Sequence, residues 1–136
     1  MDQKEQAEQL LKKAREIKEK AYAPYSHFPV GAAVLYQDGT IITGVNIENV
    51  SFGATNCAER TALFTGVTQG YTNKDVVAIG VAGTTEDFLP PCSICRQVMV
   101  ELCQPHTSVY LTNNKNEILT TNVKDLVPFS FSTMNM

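Results

Sequence analysis

The sequence has no long apolar run and no excess of positive charge. No segment approaches the roughly 20 apolar residues of a membrane-spanning helix, so we expect no membrane partner. Residues 1–5 are charged or polar after the initial methionine and lack the apolar core of a signal peptide, which predicts a cytoplasmic protein. The formal net charge is −3, whereas nucleic-acid binders usually present a basic patch. A small uncharged ligand therefore suits this composition better than a nucleic acid.

Internal repeats, low-complexity tracts and linkers are also absent from the sequence. The 136 residues are enough for one domain with a real core, and a composition of 43% hydrophobic and 18% charged residues is ordinary for a globular protein. We therefore predict a single domain spanning residues 1–136.

Helical and strand patterns alternate along the chain. Apolar residues near a 3.6-residue spacing predict a helix over 2–22, and an Asp-Gly turn between two apolar segments predicts a hairpin. The predicted strands span 30–36, 41–45, 76–82, 109–112 and 118–121, and the later helical segments span 57–68, 92–103 and 123–127. This order predicts an α/β fold in which helices cover both faces of a mixed five-stranded sheet.

The segment Asn56-Cys57-Ala58-Glu59-Arg60 is predicted to open a helix. Unpaired backbone N–H groups and the helix dipole at such an end favour a thiolate at Cys57. A thiolate there suits either a nucleophile or a metal ligand. The rest of the chain must decide between them.

A second thiol pair, Cys92-x-x-Cys95, begins a later helix. Alone, this spacing fits half of a structural zinc site or a redox pair, but a thioredoxin-like motif would follow the first strand rather than the third. In a reducing compartment the four cysteines are more often metal ligands or free thiols than disulfides. Cys57, Cys92 and Cys95 can therefore surround one zinc ion if the two helix starts face each other.

A fourth protein ligand distinguishes a structural zinc site from a catalytic one. The candidates are Cys103, His27 and His106. Residues in such positions are more often ordinary core or surface residues than metal ligands. The site is thus expected to be open. Glu59 then gains a role, because it can point at the zinc water and move protons.

These two segments together match a signature of zinc deaminases, in which a ligand-x-Glu is followed by Pro-Cys-x-x-Cys. The sequence resembles the small, homotetrameric cytidine deaminases of the three-cysteine zinc type. The resemblance lies in four blocks in the same order, at 22–33, 46–49, 57–62 and 91–98. It implies a three-layer α/β/α sandwich of the cytidine deaminase type, a homotetramer with sites at subunit interfaces, and one Zn²⁺ per subunit.

The resemblance further implies the reaction, hydrolytic deamination of cytidine and 2′-deoxycytidine to uridine and 2′-deoxyuridine plus ammonia in pyrimidine salvage. It implies that Glu59 carries protons and that three cysteines bind zinc. The implied zinc ligands are Cys57, Cys92 and Cys95. The implied substrate contacts are Asn46 and Glu48 on the ribose hydroxyls, Phe28 on the base, the Ala58 N–H on the pyrimidine O2, and Phe131 from a neighbouring subunit.

Arg60 is expected to compensate excess negative charge. Three thiolates on Zn²⁺ leave a net charge of −1, which would make the bound water too weakly acidic. The helix starts supply some positive character, and Arg60 can supply more by hydrogen-bonding the thiolates. Family members resembling this chain use the matching arginine in this way.

Three residues depart from the pattern of the resembled family. Pro90 replaces a small hydroxyl residue, Phe52 replaces a common tyrosine, and Phe129 replaces a usual glycine. These departures concern affinity and substrate range, and Phe129 also leaves open which ring reaches the neighbouring site.

Two alternatives to cytidine deamination are left open by the residues. One is deamination of a related aminopyrimidine nucleoside such as blasticidin S. The other is a structural zinc or interaction module without catalysis, which would need a fourth protein ligand and no Glu59. Nucleotide and nucleic-acid deaminases are disfavoured, because they typically have His at the position of Cys57 and need basic surfaces.

Overall fold

The computed structural model describes residues 2–134 and contains four α-helices and five strands within them. The helices are α1 Gln3–Ile17, α2 Ala58–Thr68, α3 Ser93–Leu102 and α4 Val123–Leu126. The strands are β1 Gly31–Tyr36, β2 Ile41–Val45, β3 Val76–Ala82, β4 Ser108–Thr112 and β5 Ile118–Asn122. Each predicted strand is present with ends that differ by at most one residue.

The first helix is shorter than predicted. It begins at the N-cap Asp2, whose carboxylate accepts the Glu5 N–H, and it ends at Ile17 before a 3₁₀ turn over Lys18–Lys20. The prediction of a helix to residue 22 is wrong because Tyr22 is extended. Its N–H donates to the Asn46 carbonyl instead of continuing the helix.

The five strands form one mixed sheet in the order β2-β1-β3-β4-β5. All neighbouring pairs are antiparallel except β3 and β4, which are parallel. Because parallel strands need a crossover, α3 connects β3 to β4 across one face of the sheet. None of the helices within residues 2–134 is both long and apolar enough to cross a membrane.

Helices cover both faces of this sheet. On one face α1 buries an apolar stripe that includes Leu10, Leu11 and Ala14 against inward residues such as Ala33 and Ala78. The opposite face carries α2 and α3, whose buried residues pack on the alternate strand positions. That second core includes Ala62, Leu63, Met99, Val34, Ile79 and Val109. The predicted three-layer α/β/α sandwich with a mixed five-stranded sheet is therefore confirmed.

Glycine at position 44 allows α2 to lie directly on β2. A Cβ built at Gly44 would stand 2.5 Å from the Ala62 nitrogen and 2.7 Å from the Ala58 oxygen, which is closer than any side chain tolerates. The strand and the first turns of α2 therefore approach backbone to backbone. This contact fixes the start of α2 beside the end of β2.

Candidate active site

The starts of α2 and α3 meet on one face of the sheet. Cys57 is the N-cap of α2 and Cys92 is the N-cap of α3. The Cys92 sulfur accepts a hydrogen bond from the Cys95 N–H at 3.4 Å. Both caps are extended residues that turn into a helix, so each helix presents its unpaired N–H groups toward the same place. Two positive helix ends thus converge on the thiols.

Three thiols form a compact cluster at this junction. The sulfurs of Cys57 and Cys92 are 3.6 Å apart, and all three sulfurs of Cys57, Cys92 and Cys95 lie within 4.8 Å of one another. Burial differs among them, because Cys95 is fully buried, Cys57 is partly buried and Cys92 is exposed. The cluster is therefore anchored at depth and open on one side.

The cluster favours a thiolate even without a cation. A hydrogen bond from Cys95 and another from Arg60 outweigh burial and lower the pKa of Cys57 to about 5. The same hydrogen bond to Cys57, together with burial, raises the pKa of Cys95. A cation bound among the sulfurs would replace the remaining thiol protons and convert the thiols to thiolates.

Arg60 lies one turn into α2 and faces this cluster. Its Nη2 donates to the Cys57 sulfur at 3.2 Å. Burial opposes the charge of Arg60, but hydrogen bonds to Cys57 and Cys95 outweigh that effect and raise its pKa. Within residues 2–134 the Arg60 Nε is buried and has no hydrogen-bond partner. A buried guanidinium with one unused donor can make a further hydrogen bond to a second negatively charged group besides the Cys57 thiolate.

Glu59 is a buried carboxyl that lines the same cleft as Cys57 and Cys92. Only 4% of its surface is exposed, and burial, with a smaller effect of Cys57, raises its pKa to about 7. A carboxyl poised near neutral pH can both accept and donate a proton, which is the property of a general acid and base.

Asn46 and Glu48 lie beside the cluster because the segment after β2 is fixed on both sides. Ile47 exchanges two backbone hydrogen bonds with Asn56, each of 2.9 Å, and Tyr22 bonds Asn46 and Glu48 from the other side. Asn56 immediately precedes Cys57. The end of β2 is thereby pinned to the start of α2.

The side chains of Asn46 and Glu48 contact the loop that carries Phe28. Asn46 Oδ1 accepts the Val30 N–H and its Nδ2 donates to the Phe28 carbonyl, both at 2.8 Å. Glu48 is buried beneath loop residues that are themselves exposed, and it accepts hydrogen bonds from Tyr25 and Ser26. The Ser26 hydroxyl and N–H are the main causes of a lowered Glu48 pKa.

A cleft of about 180 Å³ opens at the thiol cluster. Five residues singled out in the sequence line it: Asn46, Cys57, Ala58, Glu59 and Cys92. Pro90, one of the departures from the resembled family, lines it as well. Phe28, Glu48 and Cys95 are not among the residues that line it. Phe28 is linked to the cleft through its carbonyl, which accepts a hydrogen bond from Asn46.

The sequence did not single out several other lining residues. Thr55, Asn56, Val81 and Leu89 also face the cleft. Asn56 could have been suspected from its place directly before Cys57. Val81 and Leu89 carry no local signal, because only the sheet order brings the end of β3 to this cleft.

Phe131 lies away from the cleft of its own chain. Its carbonyl accepts a hydrogen bond from Gln97 Nε2 at 2.7 Å, and the residue is 53% exposed. Phe129 is fully exposed and has a φ of +55°. This left-handed backbone accounts for the glycine usual at that position in the resembled family.

The three candidate fourth ligands stand apart from the cluster. Among the residues that the structure describes, the sulfur cluster contains only Cys57, Cys92 and Cys95. Cys103 caps the opposite end of α3, where burial raises its thiol pKa to about 12. His27 and His106 are exposed loop residues.

The residues present fit a zinc ion. Thiolates are preferred zinc ligands, a soft three-sulfur set is common for this metal, and three protein ligands leave a position for water. Arg60 and the two helix ends supply the positive charge that three thiolates need.

Comparison with known proteins identifies the family. The profile described as "Cytidine and deoxycytidylate deaminase zinc-binding region" matches residues 4–112. The chain is 51% identical over 127 residues to a cytidine deaminase of Halalkalibacterium halodurans, covering 93% of this chain and 95% of that protein. It is 48% identical over 125 residues to a cytidine deaminase of Sporosarcina psychrophila, covering 92% of this chain and 90% of that protein.

Solved structures agree with the sequence relatives. A cytidine deaminase from Burkholderia pseudomallei superposes with a TM-score of 0.90 at 45% identity, covering 96% of this chain and all of that one. The family's zinc-binding region and the three-cysteine cluster assign one zinc ion to the chain. With this profile match, these relatives and this site, the chain belongs to the zinc-dependent cytidine and deoxycytidylate deaminase family.

Proposed function

We propose that this protein, acting as one domain, deaminates cytidine and 2′-deoxycytidine to uridine and 2′-deoxyuridine with release of ammonia. The observation that carries the proposal is the buried Glu59 carboxyl beside the three-thiol cluster in one cleft. The relatives of similar length are named cytidine deaminases, which supports a cytosine nucleoside as the substrate.

Cys57, Cys92 and Cys95 are the residues that would hold the zinc ion. When bound, zinc lowers the pKa of a water molecule toward neutrality and so provides a nucleophile. Arg60 offsets the charge of the thiolates by its hydrogen bond to Cys57.

Glu59 is proposed as the proton carrier. It accepts a proton from the attacking water and delivers it to N3 of the pyrimidine, and a second transfer reaches the leaving amine. Overall, the C4–N4 bond breaks, the water oxygen is added at C4 and ammonia departs. A pKa near 7 allows Glu59 to take part in both directions of this transfer.

Substrate contacts are proposed for residues around the cleft. Asn46 and Glu48 would hold the ribose hydroxyls, and Phe28 would pack on the base. The Ala58 N–H belongs to the first turn of α2, where backbone donors have no helical partner, so it is available for the pyrimidine O2. A carboxylate at position 48 would repel a phosphate, which favours a nucleoside over a nucleotide.

We propose a homotetramer whose sites lie at subunit interfaces, with Phe131 entering a neighbouring site. Several large apolar side chains near the cleft and in the C-terminal segment support this arrangement. Val50 is 80% exposed and Phe52 is 71% exposed, more than a lone chain normally leaves uncovered in one region. The ring of Phe52 packs edge-on against the ring of Tyr25, with the two ring centroids 6.2 Å apart.

We further propose that the protein acts in pyrimidine salvage in the cytoplasm. The four cysteines are unpaired, as suits a reducing compartment.

A substrate panel tests this function. The zinc-loaded protein is incubated with cytidine, 2′-deoxycytidine, cytidine monophosphate and blasticidin S, and conversion is followed by ultraviolet absorbance together with ammonia release. We expect both nucleosides to be converted and the nucleotide to be spared. Conversion of blasticidin S alone would favour the related aminopyrimidine nucleoside, and conversion of none would refute deamination.

A further inference from the structure

The loop between α1 and β1 pairs with the segment after β2 through the backbone of Tyr22, and side chains of that segment hold the rest of the loop. Asn46 brackets Phe28 by bonding the Phe28 carbonyl and the Val30 N–H. Glu48 accepts the N–H groups of Tyr25 and Ser26 at 3.0 and 3.1 Å. The two residues expected to meet the ribose are thus also the residues that shape the loop beside it.

Ser26 occupies the junction of these two contacts. Its hydroxyl donates to Glu48 Oε2 and, through its lone pair, accepts the Phe28 N–H at 3.0 Å. The Ser26 hydroxyl has one proton, and the direction of that O–H bond toward Glu48 fixes the direction of the lone pairs. The lone pair that accepts the Phe28 N–H is therefore oriented by Glu48. One side chain therefore connects the carboxylate of Glu48 to the backbone of Phe28.

The backbone between Ser26 and Phe28 needs such a constraint. His27 has a φ of +56°, a left-handed conformation that is unfavourable for a residue with a Cβ. A backbone hydrogen bond from the His27 N–H to the Ala23 carbonyl closes the turn, and the Ser26 hydroxyl bridges its far side. The direction in which Phe28 leaves the loop thus depends on Ser26.

Hydrogen bonds from residues 2–134 leave one acceptor position of the Glu48 carboxylate unused. It has about four acceptor positions, and Oε1 uses two for the N–H groups of Tyr25 and Ser26. Oε2 uses one for the Ser26 hydroxyl. The remaining Oε2 lone pair has its direction set by Ser26, and it is the acceptor left for a ligand hydroxyl.

We propose that Ser26 is a positioning residue that couples the Glu48 carboxylate to Phe28 and so sets the affinity for the nucleoside. The inference rests on the proposed function, because it assigns the ribose to Glu48 and the base to Phe28. The hydrogen bonds of Ser26 go to Glu48 and Phe28 and not to the thiols or Glu59, so its effect falls on binding rather than on proton transfer.

Steady-state kinetics of Ser26→Ala and Ser26→Thr test this assignment on the zinc-loaded protein. In Ser26→Ala we expect the KM for cytidine to rise roughly 10- to 100-fold, the range for a lost hydrogen bond to a charged group, with kcat within about threefold of wild type. Ser26→Thr keeps the hydroxyl and should restore KM to within about threefold. Thr68→Ala removes an exposed hydroxyl at the end of α2 and is the control, with unchanged constants.

A nucleoside that lacks the 2′- and 3′-hydroxyls shows whether Ser26 acts through the ribose contact of Glu48 or only by holding the loop in place. With 2′,3′-dideoxycytidine, the KM ratio of Ser26→Ala to wild type should be at least about threefold smaller than with cytidine, because Glu48 has no hydroxyl to bind. An equal ratio for both nucleosides would overturn the coupling. Should Ser26→Ala not fold, Ser26→Cys replaces it, and its weaker donor should raise the KM for cytidine above the wild-type value.

The possible failures are distinguishable. An active wild type whose Ser26→Ala variant keeps its KM, or loses only kcat, overturns the inference and leaves the proposed function standing. A wild type that does not convert cytidine overturns the proposed function and the inference with it.

Discussion

Arg60 donates a hydrogen bond to the sulfur of Cys57 across 3.2 Å, from one turn further along the same helix. Cys57 caps the start of α2 and Arg60 lies in the first turn, so the start of the helix brings the guanidinium to the thiol. The neighbouring Nε stays buried without a partner among the described residues. Positive charge is therefore built into the helix that supplies the first thiol.

Replacing Arg60 by glutamine should separate zinc binding from turnover. The variant keeps three thiols, so we expect it to retain zinc, but kcat should fall roughly 10- to 100-fold because the thiolate charge is no longer offset. Zinc content by atomic absorption and kcat for cytidine measure the two effects. Lys74→Gln, a change of an exposed loop cation, is the control. Wild-type kcat in the Arg60 variant would show that the guanidinium has no electrostatic role.

Cysteine substitutions should distinguish the cluster from the remaining thiol. Cys92→Ser should weaken zinc binding by at least about 100-fold, because it removes one of three sulfur ligands. Cys103→Ala is the matched control, since Cys103 is buried at the opposite end of α3. Competition with a chromogenic chelator measures the affinity. Equal zinc loss in both variants would contradict the assigned ligand set.

Gly44→Ala should destabilise the fold and disturb the site together. The new Cβ would press on backbone atoms of α2, and neither α2 nor β2 has a flexible side chain there that could move aside. We expect the free energy of unfolding in urea to fall by about 1–3 kcal/mol, with reduced turnover, because the start of α2 carries the cluster. Gly53→Ala is the control, since a Cβ there meets nothing within 4 Å. Similar stability of the two variants would refute the close approach.

Glu48 should contribute stability only above mildly acidic pH. Its folded-state pKa lies below the ordinary value of 4.5 because of hydrogen bonds from Ser26 and Tyr25. The unfolded state therefore binds the proton more readily, so the contribution is complete above pH 4.5 and is lost as pH falls through the folded pKa. Urea unfolding of wild type and Glu48→Gln between pH 7 and pH 3 should show a stability gap that closes on acidification. A gap independent of pH would contradict this origin.

Local patterns in the sequence predicted most of the fold and the centre of the site. The Asp38-Gly39 turn and dense apolar segments such as Val76–Ala82 located the strands, and helix-start geometry located Cys57 and Cys92. These signals depend on neighbours within a few residues, so they survive without knowledge of the tertiary structure. The confirmed sheet and the thiol cluster both rest on them.

Other features depend on contacts between distant parts of the chain. The early end of α1 is set by the pairing of Tyr22 with the segment after β2, and the bridge from Ser26 to Glu48 spans 22 positions. The left-handed conformations of His27 and Phe129 have no clear signal in the sequence, because positive φ is uncommon for any residue other than glycine. Tertiary contacts determine these features, and no local pattern specifies them.

Turnover and zinc content of Glu59→Gln test the central claim most directly. The amide keeps the size of the carboxyl but cannot carry a proton. The three clustered ligands are all cysteines, so the substitution leaves the zinc ligands in place. We predict about one zinc per chain, as in wild type, and a loss of at least about 100-fold in kcat for cytidine. Deamination at a near wild-type rate by the zinc-loaded variant would show that Glu59 is not the proton carrier.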